Sequence, residues 1–272
     1  MTNSPMANGQ WRPSALAPLL AFCLDRLEQA PERPLVVGLQ APQGAGKTTL
    51  ATYLLAELAA RGLRGASVSI DDFYLTRDEQ LRLSESHPGN PYLEHRGYPG
   101  THDVELGATT LAALRRLGRS GAVRVPVYDK SQHGGRGDRA PESAWREVTG
   151  PLDLVMLEGW MLGFEPVPEA ELPDPRLDPT NRALAAYDRW HRLLDAFVVL
   201  RAADPRFVLD WRVEDEERMK AQGVPGLSRE GIEDYIRRFL PAYALWAGRA
   251  PARFSPDETL TLTLDIDRNL SR

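Results

Sequence analysis

The sequence predicts an α/β fold built on a mostly parallel sheet with helices on both faces. Short apolar or β-branched runs alternate with stretches of helical periodicity from residue 35 to residue 266, the pattern of a parallel sheet covered on two sides. A Gly-rich turn joins the first run to the helical stretch after it. Polar clusters follow directly on the runs "ASVSI", "VPVY" and "DLVML", at the carboxyl ends of strands, where such sheets bind ligands.

The elements follow in order. Residues 1–13 read as a polar tail, and residues 14–272 as a single domain. An amphipathic helix over 14–30 stops at Pro31 and Pro34. Leu35, Val36, Val37 and Leu39 form the first strand, and Leu50, Tyr53, Leu54 and Leu58 recur at helical spacing from about Lys47. "RGASVSI" predicts a second strand ending at Ile70. Residues 77–101, rich in Pro, Gly and His, read as a loop excursion beside the site. A helix is expected over about 103–117, and "AVRVPVY" is a third strand whose Pro126 marks an edge or an end. "LDLVMLEG" is the fourth and most apolar strand. Asp178-Pro179 reads as N-cap and first residue of a helix to about Leu194. "AFVVL" is a fifth strand, followed by helices over about 205–221 and 228–246 and a last strand, "LTLTLDI".

The 272 residues carry a net charge of −5, against a broad nucleic-acid footprint. The single cysteine, Cys23, excludes an internal disulfide framework, fits a reducing compartment, and sits in an apolar run that suits a small buried hydrophobe. No apolar stretch reaches the ~20 residues of a membrane span, and no secretory layout opens the chain. These features predict a soluble cytoplasmic protein with no membrane partner. Of 33 basic residues only Lys47, Lys130 and Lys220 are lysines. Lysine persists where a compact point charge has no planar substitute, which singles out Lys47 and makes Lys130 and Lys220 candidates, with a plain surface position equally open for Lys220.

"GLQAPQGAGKTTLATYLLAEL" (38–58) is a strand end, a Gly-rich turn and a helix start. That order makes an anion site, because backbone N–H groups converge on phosphate oxygens at a positive helix terminus. It matches G-x-x-x-x-G-K-[ST] with Ala41 at the first glycine. Gln43, Gly44, Ala45, Gly46, Lys47, Thr48 and Thr49 are expected to hold ATP, with Lys47 on the β- and γ-phosphates and Thr48 on Mg²⁺. No N-K-x-D motif occurs, which disfavours GTP.

Asp71 and Asp72 follow the second strand. One is expected to act as general base toward a hydroxyl and the other to hold Mg²⁺ through water, although Asp-Asp is also a common turn pair or N-cap. Glu158 closes the fourth strand, where Walker B carboxylates reach the metal. "VPVYDKSQHGGRGDRA" places Arg136 and Arg139 in a Gly-rich loop, and two guanidinium forks suit a carboxylate-bearing acceptor. His133 is expected to bond the acceptor or cap the turn. His102 and Asp103 are further candidates, with Thr101 or Asp103 also suited to N-capping the next helix. On the charged stretch 204–220, Arg206, Arg212 and Arg218 are candidates for a lid over the phosphoryl group. A small-molecule kinase fits these features. Other acceptors (a nucleoside, pantothenate, a sugar phosphate) and a nucleotide-binding regulator are the rivals, and a regulator has no use for an acceptor loop.

"APQGAGKTTL", "SIDDFYLT", "VPVYDKS", "GRGDRA" and "LEGWMLGF" resemble the plant-type D-glycerate 3-kinases and related bacterial and fungal kinase-like proteins. These belong to the phosphoribulokinase/uridine kinase branch of P-loop kinases. Asn181, Leu184 and Tyr187 and the stretch "GVPGLSREGIEDYIRRFLPAY" extend the similarity, so that it covers roughly residues 35–265. The resemblance implies a P-loop NTPase fold, ATP with Mg²⁺, and D-glycerate as acceptor. It makes Asp71 the hydroxyl-activating base and Glu158 the fourth-strand carboxylate. It also carries the Tyr and His of uridine kinases to Tyr128 and His133, and places Tyr74 of "D-x-F-Y" in the acceptor site. "GRGDR" stands where nucleoside-stacking features are absent, which turns the acceptor toward an acid.

Overall fold

The apolar run at 35–40 becomes the central strand of the sheet. The computed structural model describes residues 6–7, 10–11, 13–30, 32–221 and 229–271. Helix α1 (Leu16–Gln29) leads into β1 (Leu35–Gln40), and α2 (Lys47–Ala59) follows the Gly-rich turn. Next come β2 (Gly65–Ser69), α3 (Arg77–Ser86) and α4 (Val104–Arg115). Four short strands form an arm: β3 (Ala122–Val125), β4 (Tyr128–Asp129), β5 (Asp138–Arg139) and β6 (Arg146–Thr149). The chain returns through β7 (Leu154–Gly159), α5 (Asp178–Ala183), α6 (Asp188–His191) and β8 (Ala196–Ala202). It closes with α7 (Phe207–Ala221), α8 (Arg229–Leu245) and β9 (Thr259–Leu264).

The main sheet has five strands in the order β9-β8-β1-β7-β2, all parallel. Its strands alternate between two cores. Leu35, Val37, Leu39, Leu154, Met156 and Val198 face Leu19 and Cys23 of α1, Leu50, Leu54 and Leu58 of α2, and Trp211 of α7. Val36, Val155, Leu157, Phe197 and Val199 face Leu111 and Leu114 of α4, Trp190 of α6, and Ile232 and Phe239 of α8. Leu50, Leu54 and Leu58 are each 2% exposed or less, and burying each stabilises α2 against the sheet by roughly 1.5–3 kcal/mol. Cys23 lies in the first core as a free thiol, where burial pushes its pKa up to about 12.

Five expectations need correction. "AVRVPVY" does not join the main sheet: β3 pairs antiparallel with β6, and beyond Pro126, which has no N–H to donate, β4 pairs antiparallel with β5. The excursion over 77–101 contains a true helix, α3, held by a capping box in which Thr76 Oγ1 accepts the Glu79 N–H and the Glu79 carboxylate accepts the Thr76 N–H. Asp178 is not an N-cap. Asp174 caps a 3₁₀ turn at Pro175–Leu177, and Asp178 is helical and pairs with Arg182 one turn on. The helix expected to reach Leu194 is broken into α5, a 3₁₀ turn at Leu184–Tyr187 and α6. Lastly, β2 stops at Ser69, and Ile70 opens a 3₁₀ turn to Phe73. Most of the expected tail, and residues 223–228 of "GVPGLSREGIEDYIRRFLPAY", lie outside the described residues. No helix among the described residues is long and apolar enough to cross a membrane.

Candidate active site

Sheet register assembles the first part of the site. Leu39 of β1 and Ser69 of β2 both pair with Glu158 of β7, so the strand ends bring the Gly-rich turn, Glu158 and the Asp71 turn side by side. Gly46 is the N-cap of α2, whose first N–H groups have no partner within the helix. Lys47 Nζ folds back to donate to the Pro42 carbonyl at 3.3 Å. Thr48 Oγ1 donates to Glu158 Oε1 at 3.0 Å. Glu158 is 4% exposed; burial raises its pKa and the Lys47 charge opposes that.

Gly44 has φ +75°, and a Cβ there would lie 2.6 Å from Cβ of Trp211. The turn is thus seated against α7 and admits no side chain. Two other residues brace it: Arg268 Nε donates to the Gly44 carbonyl at 2.7 Å, and the Tyr243 hydroxyl accepts the Gln43 N–H at 3.1 Å. Arg268 lay outside every motif read from the sequence, Tyr243 closes the stretch "GVPGLSREGIEDYIRRFLPAY", and Trp211 read only as helix.

Ser69 accepts the Asp71 N–H, while the Asp72 carboxylate turns back to the Ser69 N–H at 3.4 Å. The adjacent acids therefore differ. Asp72 serves the capping box, and burial pushes its pKa up to about 6 against the Ser69 N–H and Arg146. Asp71 is free of the cap and forms an ion pair with Lys130 Nζ. Burial pushes the Asp71 carboxyl up, but Lys130, then Lys47 and His102, outweigh it and hold the pKa at about 2. Lys130 is 57% exposed along its side chain, so it reaches in from solvent.

Backbone pairing of 73–75 with 101–103 brings a second group to Asp71. Asp103 N donates to Phe73 O at 2.8 Å and Leu75 N to Thr101 O at 3.0 Å. The His102 ring stacks on Tyr74 at 4.4 Å, and Tyr128 meets Tyr74 edge-on at 5.3 Å. Asp103 caps α4 through Oδ1, which accepts the Leu106 N–H, and its Oδ2 pairs with Arg139 at 3.3 Å. Arg139 also donates to the Tyr74 carbonyl at 2.8 Å. It is 12% exposed, and its Nε has no hydrogen-bond partner among the described residues.

The remaining candidates have different partners. Arg136 is exposed and bonds to His95 Nε2, so the two arginines of "GRGDR" do not share a partner. A Cβ at Gly137 would lie 2.5 Å from the Tyr128 ring, and φ there is +75°; only glycine lets the loop lie on that ring. Asp138 organises the loop, accepting the Arg77 N–H at the start of α3 and lying 3.3 Å from His133 Nε2. Arg206 pairs with Asp204 and is 88% exposed. Arg212 pairs with buried Glu216, one residue from Trp211 against the Gly-rich turn. Arg218 pairs with Asp215 on the outer part of α7. A cavity of about 340 Å³, lined by Gln40, Pro42, Trp160, Val208 and Tyr243 among others, borders the turn but contains none of Lys47, Asp71 or Glu158.

Lys47 and Thr48 at a helix start, facing carboxylates at the ends of two neighbouring strands, place the fold in the class of the P-loop kinases. The comparisons narrow the class. No family model matches the chain. It is 43% identical over 244 residues to the chloroplastic D-glycerate 3-kinase of Arabidopsis thaliana, covering 87% of this chain and 54% of that one, about half the plant protein's length. It is 36% identical over 250 residues to mug58 of Schizosaccharomyces pombe, named an uncharacterized kinase, covering 86% and 90%. The structure of D-glycerate 3-kinase from Cryptococcus neoformans superposes with a TM-score of 0.83 at 31% identity, covering 96% of this chain and 99% of that one. The chain belongs to the D-glycerate 3-kinase family of P-loop kinases and kinase-like proteins.

Proposed function

We propose that the protein transfers the γ-phosphoryl group of ATP to the C3 hydroxyl of D-glycerate. The observation that carries the reading is the place of Asp71: an ionised carboxylate within the field of Lys47 and Lys130, beside Glu158, with the half-buried Arg139 fork on the neighbouring segment. Residues 43–49 cradle the triphosphate, and Lys47 leaves the Pro42 carbonyl for the β- and γ-phosphates. The donors at Thr48 and Glu158, two hard oxygens 3.0 Å apart, fit Mg²⁺ completed by phosphate oxygens and water. Such an ion would neutralise charge on the transferring group. Asp72, engaged by its cap, is left out of that set, although the sequence had offered it.

Arg139 takes the acceptor carboxylate, and Arg136 serves as a second arm when it leaves His95. The far hydroxyl then points to Asp71. In the transfer step the bond from the γ-phosphorus to the ADP oxygen breaks and a bond to the substrate oxygen forms. The hydroxyl proton passes to Asp71 and then to solvent. A carboxylate with pKa about 2 is a weak base, but a loose phosphoryl transfer demands orientation of the hydroxyl more than early proton removal. Tyr74, Tyr128 and His133 wall the acceptor site, and Arg212 is better placed than Arg206 to approach the phosphates. A cytoplasmic location is proposed on the single buried thiol, Cys23.

The test is product identification by phosphorus NMR after incubation with ATP, Mg²⁺ and either D-glycerate, glycerol, uridine or pantothenate. The expected result is 3-phosphoglycerate, with glycerol a poor substrate because it lacks the carboxylate. Phosphorylated uridine or pantothenate with glycerate untouched overturns the acceptor.

A further inference from the structure

His102 is 5% exposed, and its Nε2 has no hydrogen-bond partner among the described residues. Its Nδ1 lies 2.8 Å from the Tyr187 hydroxyl. That same oxygen accepts the Gly100 N–H at 3.0 Å, and Tyr187 is 1% exposed. Two proton arrangements are open to the pair, because a neutral imidazole carries one N–H and one lone pair.

If Nδ1 carried the proton, it would donate to the Tyr187 oxygen. The phenol proton would then be buried without an acceptor, and the Nε2 lone pair would be buried without a donor. If the phenol donates to Nδ1, the Gly100 N–H, the Tyr187 hydroxyl and Nδ1 are all satisfied. One group is left over, the Nε2–H. Buried polar groups are rarely left unpaired, so the second arrangement, with one unmet group against two, is favoured. Burial holds the His102 pKa down at about 3, and the Asp71 charge only partly opposes this. The ring is therefore neutral at working pH. Its plane is fixed by Tyr74 stacked at 4.4 Å and by Tyr187 and Trp190 edge-on at 5.7 and 5.9 Å.

We propose that Tyr187 is a positioning residue that fixes His102 as an Nε2–H donor to an oxygen of the acid acceptor beside Asp71. The inference rests on D-glycerate as acceptor and deepens that reading. A neutral N–H suits this position. It binds an anionic oxygen without adding a cation to a pocket where Lys130 and Lys47 already act on Asp71. Tyr187 touches neither the nucleotide loop nor Asp71 in any contact described, so its effect runs through the imidazole.

The experiment has an arm independent of turnover. Long-range ¹H–¹⁵N NMR of labelled protein at pH 7.5, with His102 assigned by its loss in His102→Gln, reads the tautomer directly. A single form with Nε2 protonated and Nδ1 unprotonated is expected, giving way to a mixture in Tyr187→Phe, which conserves volume. In steady-state kinetics Tyr187→Phe should raise the KM for D-glycerate about tenfold, the scale of one hydrogen bond, with the KM for ATP unchanged. His102→Gln offers an amide N–H near the Nε2 position that does not depend on Tyr187. In that background Tyr187→Phe should leave the glycerate KM unchanged. An Nδ1–H tautomer in the wild type, an unmoved glycerate KM in Tyr187→Phe, or equal effects of Tyr187→Phe in both backgrounds would each overturn the proposal. A wild type silent with D-glycerate strikes the proposed acceptor instead, and the NMR spectrum then still decides the Tyr187–His102 part.

Discussion

Asp71 and Asp72 are neighbours in the chain with opposite environments: Lys130 and Lys47 hold the first at about 2, and burial lifts the second to about 6. Such a split separates roles. Asp71→Asn keeps the shape and loses the proton acceptor, so kcat should fall roughly 10²–10⁴-fold with the KM for ATP little changed. Asp72→Asn should be mild; the reverse pattern in these two variants would exchange their roles. Lys130→Met removes the cation that most lowers Asp71, so the acid limb of the kcat/KM profile for glycerate should move to higher pH. An unmoved limb would mean that Lys130 and Asp71 part when substrates bind. Losing one partner of a desolvated carboxylate–guanidinium pair costs about 2–5 kcal/mol. Arg139→Ala, at a side chain 12% exposed, should therefore raise the glycerate KM far more than Arg136→Ala, and equal effects would restore the two-armed clamp. That Lys47, Thr48 and Glu158 meet was legible in the sequence, because they sit in motifs at a helix start and a strand end. The division between Arg136 and Arg139 was not, since it depends on Asp103 and His95 arriving from distant segments.

Elements were legible where periodicity is long and illegible where a few polar contacts decide. The five sheet strands and α2 follow from apolar runs, whereas "AVRVPVY" has the same composition and leaves the sheet. Its partner "REVT" (146–149) carries almost no strand signal, so the antiparallel arm is set by pairing rather than by pattern. Helix α3 was hidden among Pro, Gly and His, yet its capping box at Thr76 and Glu79 is a local signature that the composition masked. That box has a consequence for the site. The Asp138 carboxylate accepts the Arg77 N–H at the same helix start, so α3 and the acceptor loop share one anchor. Thr76→Ala should cost about 0.5–2 kcal/mol by chemical denaturation. If the anchor matters for the loop, the glycerate KM should rise while the ATP KM stays fixed; a stability loss with no change in KM would confine the box to folding.

At the scale of the whole molecule, two histidines among the described residues are buried beside the α4–α6 core: His102, edge-on to Trp190, and His191 of α6. His191 is 4% exposed, and its Nε2 accepts the Gly163 N–H at 3.0 Å, a bond that requires an unprotonated nitrogen. Burial pushes its pKa down to about 4, with Asp188 opposing and Arg253 adding to the effect. The sign of the linkage follows. Between the ordinary histidine value of about 6.5 and the folded value the unfolded chain binds a proton that the native state refuses. Stability from this residue is thus fully present above about 6.5 and is lost as pH falls toward 4, at up to about 1.4 kcal/mol per pH unit. Asp72 runs the other way over about 4 to 6, because its folded pKa is raised, so the net slope of the wild type mixes both signs. A difference measurement separates them. His191→Gln keeps an acceptor for the Gly163 N–H but cannot be protonated. Its Tm relative to the wild type should therefore climb steadily as pH is lowered from 6.5 to 4.5, and a Tm difference independent of pH across that range would show that His191 does not titrate on unfolding.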